Sequence, residues 1–304
     1  MKIFIKCIIL FPVLLLLAAC AIEPQRQALS TQNKKKIHST QAVLNTTQKG
    51  IRLEQNDMFT SNRPDPYDPM DSGPIVTSSS PVAIDLTSDV ILSSIQNHDI
   101  SGSKKEITPV RNALGNFNYI NYFRSDLQEN LSTLSWLKLA QIKTKYNIKQ
   151  GERKVVDATK ENSTLFVGTT YALNSTFERL EVIAYVKLDE KSKNGKSLNT
   201  LYKNNFYYIY RLTSNNKKEN KLVWVQNNAS LLKSKLRDAS SMLSKQIADD
   251  INNSNLSSGI AQEKVSIVTI SGIKDSANVI AKKNNYYILS LTNGEAIYIV
   301  NRLS

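Results

Sequence analysis

The chain has 304 residues, of which 41% are hydrophobic and 21% charged, so it can bury a sizeable core as one large domain or two smaller ones. Its 39 lysines and arginines against 26 aspartates and glutamates give a formal net charge of +13, which suits an anionic neighbour, although a diffuse charge that serves only solubility is the commoner case. Both cysteines lie within the first twenty residues, and this excludes a disulfide or a thiolate site in the remainder of the chain.

The first nineteen residues have the layout of a secretory signal. Lys2 and Lys6 form a short positive region, and an apolar run interrupted only by Pro12 follows. The segment closes on four residues, Leu17-Ala18-Ala19-Cys20. Because the apolar run is too short and wrongly flanked for a stable transmembrane helix, we predict a signal peptide over residues 1–19.

The last four of these residues resemble the lipobox of bacterial lipoproteins. The resemblance implies that a signal peptidase cuts before Cys20, whose thiol and new amino terminus then carry acyl chains. Ala21 follows the cysteine, whereas an aspartate at that place is typical of retention in the inner membrane. The expected location is therefore the outer membrane, facing the periplasm. The lipid makes the membrane a predicted partner, and nucleic acid is not expected because the signal exports the chain.

Residues 20–80 are predicted to be a lipidated tether and linker. The stretch up to Lys36 is polar and ends in three lysines, which is typical of a solvated segment beside anionic headgroups. Residues 37–53 predict a short strand or helical turn. Residues 62–74 hold four of the eight prolines, which favours a linker. The three aspartates there lack the spacing of a calcium-binding EF-hand loop.

Residues 81–258 are predicted to form an α+β domain, in which amphipathic helices pack on an antiparallel β-meander. Apolar residues at helical spacing predict one broken helix or two between residues 81 and 114, followed by two further helices near 121–137 and 229–252. Alternating apolar and polar residues predict four strands, near 142–148, 165–173, 180–188 and 206–212. The connections between the last three strands are short, so antiparallel pairing is expected.

Residues 259–304 are predicted to form a small C-terminal β module. Four short apolar segments alternate with turn signals such as Thr292-Asn293-Gly294. This pattern fits a small barrel of the SH3-like kind, and it fits equally well two hairpins that extend the main sheet.

The residues that carry most enzymatic chemistry are sparse. The two histidines, His38 and His98, have no second ligand at zinc spacing, and no phosphate-binding loop is present, so no metal or cofactor is predicted. Four carboxylates on regular elements could serve a glycosidase as acid and base, although exposed acidic residues usually form only a solvated face. They are Asp126, Glu129, Glu178 and Glu181.

Aromatic residues beside basic ones form the more distinctive signal. Tyr202, Tyr207, Arg211 and Tyr286 lie on predicted strands and form a candidate binding surface, since such residues can stack on sugar rings. The alternative, which we favour, is that tyrosine is a good strand former and that the inner members belong to the core.

The body of the chain resembles a group of uncharacterised periplasmic lipoproteins, a likeness that supports the α+β fold and implies no activity. Four short segments carry it: Ser135-Trp136-Leu137, Thr170-Tyr171-Ala172-Leu173, Arg179-Leu180-Glu181-Val182 and Leu201-Tyr202-Lys203-Asn204. We therefore predict a membrane-anchored envelope lipoprotein that binds or scaffolds a partner without catalysis, the partner being an anionic envelope component or a protein. The alternatives are an accessory subunit of a secretion or transport apparatus and an enzyme acting on cell-wall glycan.

Overall fold

A computed structural model describes residues 26–46, 48, 50–53, 101–146, 159–192, 197–253, 263–268, 274–283, 285–291 and 296–301. Helices in this part of the chain cover one face of an open sheet in which antiparallel pairings predominate. This arrangement confirms the predicted α+β fold. The signal peptide, the proline-rich linker and the predicted helix before residue 101 lie outside the described residues.

The described strands are β1 Thr40–Thr46, β2 Arg52–Leu53, β3 Leu139–Tyr146, β4 Ser163–Leu173, β5 Arg179–Lys191, β6 Leu198–Arg211, β7 Lys264–Val268, β8 Lys274–Lys283, β9 Tyr286–Leu291 and β10 Ala296–Val300. The described helices are α1 Thr31–Lys36, α2 Ser101–Leu114, α3 Tyr119–Ser132 and α4 Lys217–Asn252, with a single 3-10 turn at Ser135–Leu137.

The sheet runs in the order β3-β1-β4-β5-β6-β10-β9-β8-β7, and β2 pairs with the end of β4. Strands β4, β5 and β6 form the predicted antiparallel meander. Strand β6 begins at Leu198, eight residues before the predicted start. The C-terminal strands continue the sheet, because β10 pairs in parallel with β6 and β7 to β10 pair antiparallel with one another. Of the two arrangements predicted for them, the structure has hairpins that extend the main sheet.

Strand β1 is the main departure from the sequence-based prediction. It lies between β3 and β4, pairs in parallel with both, and has all seven residues buried. The described residues from 37 to 53 therefore belong in large part to the body. Residues 26–36, predicted as part of a solvated tether, are mostly exposed but are docked on the body at Arg26, Gln27 and Lys34. A short strand or helical turn is predicted over residues 37–53, but its place inside the sheet is not, because an internal parallel strand is buried on both faces and shows no alternation. Its polar members Gln41 and Asn45 are 4% and 1% exposed.

A glutamine side chain bridges the gap between β1 and β2. The Gln48 amide nitrogen donates to the carbonyl oxygens of Gly50 at 2.6 Å and of Tyr171 at 2.5 Å, while its oxygen accepts from the amide of Tyr171 at 3.0 Å. The side chain thus supplies to β4 the hydrogen bonds that a neighbouring strand would make. A buried backbone polar group requires such a partner, because water cannot replace it there.

The core lies between the sheet and the helices. Alternate residues of β4 and β5 face the helices, as the alternation of Leu180, Val182 and Ala184 predicts. Helix α3 contributes the predicted stripe of Phe123 and Leu127, continued by Leu131, all of which are fully buried. Further fully buried residues at helical spacing come from α4, namely Leu232, Leu236, Ala239, Leu243 and Ile247.

Helix α4 contains a local break at Gln226–Ala229. Gln226 is extended, and the next three residues have φ angles of 50°, 55° and 57°. Asparagine tolerates the left-handed conformation better than most residues, which fits the two asparagines that begin this turn. The break explains why the apolar stripe predicted for this helix starts only at Ala229, although helical residues are present from Lys217.

Candidate functional site

The four residues of the predicted binding surface do not share one exposed face. Tyr202 and Tyr286 are buried under the helices at 0% and 8% exposure. Tyr207 lies on the opposite face of β6, where its ring stacks on Tyr298 with centroids 4.6 Å apart. Arg211 is half-buried at the end of the strand. The structure places Tyr202 and Tyr286 in the core, which is the alternative that we favour for the inner members, because both pack beneath the helices.

Tyr286 instead joins a compact group that we call the tyrosine–lysine cluster: Tyr208, Tyr210, Lys235, Asp238 and Tyr286. The hydroxyl oxygens of Tyr208 and Tyr286 are 2.7 Å apart. The Lys235 ammonium lies 2.8 Å from the Asp238 carboxylate, 3.4 Å from the Tyr286 hydroxyl and 4.9 Å from the centre of the Tyr210 ring. Strands β6 and β9 bring the tyrosines together, and α4 places the lysine over them.

The environment of this cluster keeps its proton donors protonated. Burial, reinforced by the neighbouring tyrosine, raises the pKa of Tyr208, and burial also raises the pKa of Tyr286. Burial alone would lower the pKa of Lys235, but the hydrogen bond to Asp238 and the nearby charges outweigh it, so the pKa of Lys235 is raised. The cluster is thus a network of protonated donors, with Asp238 as the acceptor of Tyr286 and Lys235 and with Tyr208 and Tyr286 buried beneath α4. Sequence reasoning missed it because its members lie on β6, α4 and β9, up to 78 positions apart along the chain.

These raised pKa values predict a loss of stability at alkaline pH. A tyrosine whose pKa is higher in the folded state stabilises the fold below its ordinary pKa of about 10, and this contribution is lost as the pH rises further. We expect the free energy of unfolding to fall less steeply above about pH 10 in Tyr208→Phe than in the unmodified protein. Urea unfolding across this pH range tests the expectation. Tyr122→Phe, at a residue 40% exposed, is the control and should follow the unmodified protein.

A second polar group, which we call the Asp250 cluster, lies near the carboxyl end of α4. The carboxylate of Asp250 is fully buried and accepts hydrogen bonds from Arg26 at 2.7 Å, Tyr202 at 2.6 Å and Asn204 at 2.8 Å. Burial, followed by the adjacent Asp250 charge, raises the pKa of Tyr202 well above its ordinary value. Asp250 lies three residues after Ile247 and thus on the buried stripe of α4. A carboxylate at a position where the helical spacing predicts an apolar residue was therefore the sequence signal that could have revealed this cluster.

The N-terminal segment is held on the body at three places. Arg26 binds Asp250, and the backbone of Gln27 exchanges two hydrogen bonds with that of Lys203, at 2.8 and 3.0 Å. The ammonium of Lys34 donates to the carbonyl of Asn252 and lies 5.2 Å above the ring of Trp136. A cation is favourable at this position because the carboxyl end of a helix carries partial negative charge.

The candidate carboxylates are dispersed. Glu181, predicted to lie on a solvated face, is 3% exposed and forms an ion pair with Arg179. Asp126 accepts a hydrogen bond from Ser240 between two packed helices. Glu178 is half-buried and Glu129 is exposed. Two of the four candidate carboxylates, Asp126 and Glu181, therefore make contacts within the protein.

His38 is exposed, and His98 lies outside the described residues. Within the described ranges, no three histidine, cysteine, aspartate or glutamate side chains come together as a metal site. None of the described helices is both long enough and apolar enough to cross a membrane. Cys20 lies outside the described residues.

The chain matches no known family model, no curated protein and no solved structure.

Proposed function

We propose that this protein is an envelope lipoprotein, held at the outer membrane through Cys20, that binds or scaffolds a partner without catalysis. The observation that carries the proposal is the lipobox at residues 17–20, at the expected distance behind a positive region and an apolar run. Two or three acyl chains anchor a protein firmly, since each buried CH₂ contributes about 0.8 kcal/mol, whereas a single chain binds only marginally.

The docking of the N-terminal segment supports an anchor at this end of the chain. The first described residue, Arg26, follows Cys20 by only six positions and is fixed to Asp250. An anchor on Cys20 would hold the whole body near the bilayer. The partner that we propose is an anionic envelope component or an envelope protein, because the formal charge of +13 falls only to +11 when Lys2 and Lys6 are removed with the signal.

Cys20→Ser tests the anchor. The variant should take up no palmitate analogue in metabolic labelling and should accumulate as an uncleaved precursor or as a soluble form. It should keep its fold, because residue 20 precedes every described contact of the body. Cys7→Ser is the matched control and should be labelled like the unmodified protein, since Cys7 lies within the segment that is removed. Label on Cys20→Ser, or none on the unmodified protein, would refute the proposal.

A further inference from the structure

The way in which the N-terminal segment docks limits how far the body can lie from an anchor at Cys20. Arg26 is fixed by its ion pair with Asp250, and Gln27 by its two backbone hydrogen bonds to Lys203. Only six residue steps separate Arg26 from Cys20. A fully extended chain covers at most about 3.6 Å per residue, so these steps span no more than about 22 Å. The body is thus confined to the neighbourhood of the headgroups, with the docked end nearest.

This docked end, which we call the anchor end, is rich in lysine. Three hydrogen bonds join its parts. The Asn162 side chain donates to the carbonyl of Lys36 at 2.9 Å, and the Lys191 amide donates to the carbonyl of Asn162 at 2.9 Å. The Thr40 amide donates to the carbonyl of Lys138 at 3.2 Å. Among the described residues of this end, six lysines therefore lie against two glutamates, Glu161 and Glu190. Its aspartates are each paired with another basic residue: Asp189 with Lys187, Asp249 with Lys245 and Asp250 with Arg26. The lysines are Lys34, Lys35, Lys36, Lys138, Lys160 and Lys191.

Four of these lysines are placed to meet an external anion. Lys35, Lys36, Lys138 and Lys160 are exposed, and the ammonium of Lys36 also donates to the side chain of Asn33 at 3.1 Å on the surface. Lys34, in contrast, is held by the carbonyl of Asn252 and Lys191 by the carbonyl of Thr159. The carboxylate of Glu161 accepts a hydrogen bond from Thr159. The exposed charge of the anchor end is therefore mainly positive.

The opposite end of the sheet differs in its balance of charge. This far end comprises residues 174–178 and 212–228 with the adjoining part of α2. Its basic residues are offset by Glu106, Glu178 and Glu219, and the ammonium of Lys217 lies 2.9 Å from the carboxylate of Glu106. Tyr202 near the anchor end and Tyr210 near the far end are eight strand residues apart, about 26 Å. Electrostatic attraction is screened over about 8 Å at physiological salt, so only the nearer end can feel a charged surface.

We propose that the anchor end rests on the bilayer, with Lys35, Lys36, Lys138 and Lys160 against the phosphates of anionic phospholipids, and that the far end points away from the membrane. This inference rests on the proposed anchor at Cys20. The acyl chains provide attachment, and the four lysines fix the orientation of the body. A protein partner then meets the far end or a side of the body.

Quenching at single labelled sites tests the orientation. Acylation blocks Cys20 and processing removes Cys7, so one introduced cysteine is the only free thiol of the mature protein. Ser135→Cys places a fluorophore at the anchor end and Leu222→Cys places one at the far end; both positions are exposed. The acylated full-length protein is reconstituted into phosphatidylcholine vesicles, with or without phosphatidylglycerol, that carry a short-range nitroxide quencher on the headgroup.

We expect several-fold stronger quenching at position 135 than at position 222 in the anionic vesicles. The difference should shrink in phosphatidylcholine alone and at high salt, although the protein stays attached. Replacing all four lysines by glutamate should abolish the difference in quenching without loss of flotation; they are Lys35, Lys36, Lys138 and Lys160. In the matched control, Lys217, Lys218 and Lys221 are replaced by glutamate, and this variant should retain the difference in quenching.

Equal quenching at the two sites, stronger quenching at position 222, or insensitivity to the four-lysine replacement would overturn the orientation while leaving the anchor intact. Failure of the unmodified protein to float with either type of vesicle would instead refute the anchor, and the orientation with it. Circular dichroism of both charge-reversed variants establishes that the fold is retained.

Discussion

Replacing Asp250 with alanine is expected to lower the free energy of unfolding by about 3–5 kcal/mol, the usual cost of removing one partner of a buried ion pair. The carboxylate is fully buried and accepts hydrogen bonds from Arg26, Tyr202 and Asn204. Without this carboxylate, the guanidinium of Arg26 loses its partner although its side chain is only 10% exposed. The buried donors Tyr202 and Asn204 lose their acceptor as well. Urea unfolding followed by circular dichroism measures the difference.

Asp249 provides the matched control for this prediction. Its side chain is 45% exposed, and its ion pair with Lys245, at 3.4 Å, is of the i, i+4 kind on a helix surface. Such a pair contributes about 0.3–0.5 kcal/mol, so Asp249→Ala should have a small effect. Equal losses in the two variants would contradict the structural role of the Asp250 cluster. A double-mutant cycle with Arg26→Ala isolates the coupling between Arg26 and Asp250.

Trp224→Ala is expected to cost about 3–5 kcal/mol, as is usual for a fully buried tryptophan. The indole fills the space before the break in α4, where its ring meets Tyr210 edge to face with centroids 6.1 Å apart. Its nitrogen donates to the carbonyl of Phe177 at 2.6 Å, and this bond holds the hairpin between β4 and β5 against the helix. Thermal and urea unfolding provide the measurement.

Two further variants separate the contributions of this side chain. Trp224→Phe keeps an aromatic ring but removes the donor to Phe177, so it should cost about 1–3 kcal/mol, less than the alanine variant. Leu222→Ala, at a residue 57% exposed, should change stability by less than about 0.5 kcal/mol. A loss in Leu222→Ala as large as that in Trp224→Ala would show that the packing of residues 217–225 differs from this account.

The meander and its helices follow from local sequence periodicity. Leu180, Val182 and Ala184 alternate, and Phe123 and Leu127 recur at a helical step, so each segment reveals its own buried face. Here the periodicity of each segment agrees with its place in the fold. The type of element and the face that packs in the core could therefore be predicted together.

The position of β1 between β3 and β4 and the two polar clusters could not be predicted in this way, because they depend on residues distant in the sequence. Gln41 and Asn45 look like tether residues until β3 and β4 enclose them. Asp250 gains its role from Arg26, 224 positions away along the chain. Tyr202 and Tyr207 are chemically alike, and only the helices that cover one face of β6 distinguish a core residue from one on the other side.

The central position of β1 has a consequence for the order of folding. Its parallel partners follow it by about a hundred residues or more, and the contact between Arg26 and Asp250 joins nearly the whole chain, so contact order is high. Hairpins such as β4–β5 can form locally, but the sheet cannot enclose β1 until most of the polypeptide is available. In the exported precursor that we propose, which would thread through a translocation channel from its amino terminus, no closed core would therefore form inside the channel. Folding would be completed after the carboxyl end of α4 has crossed.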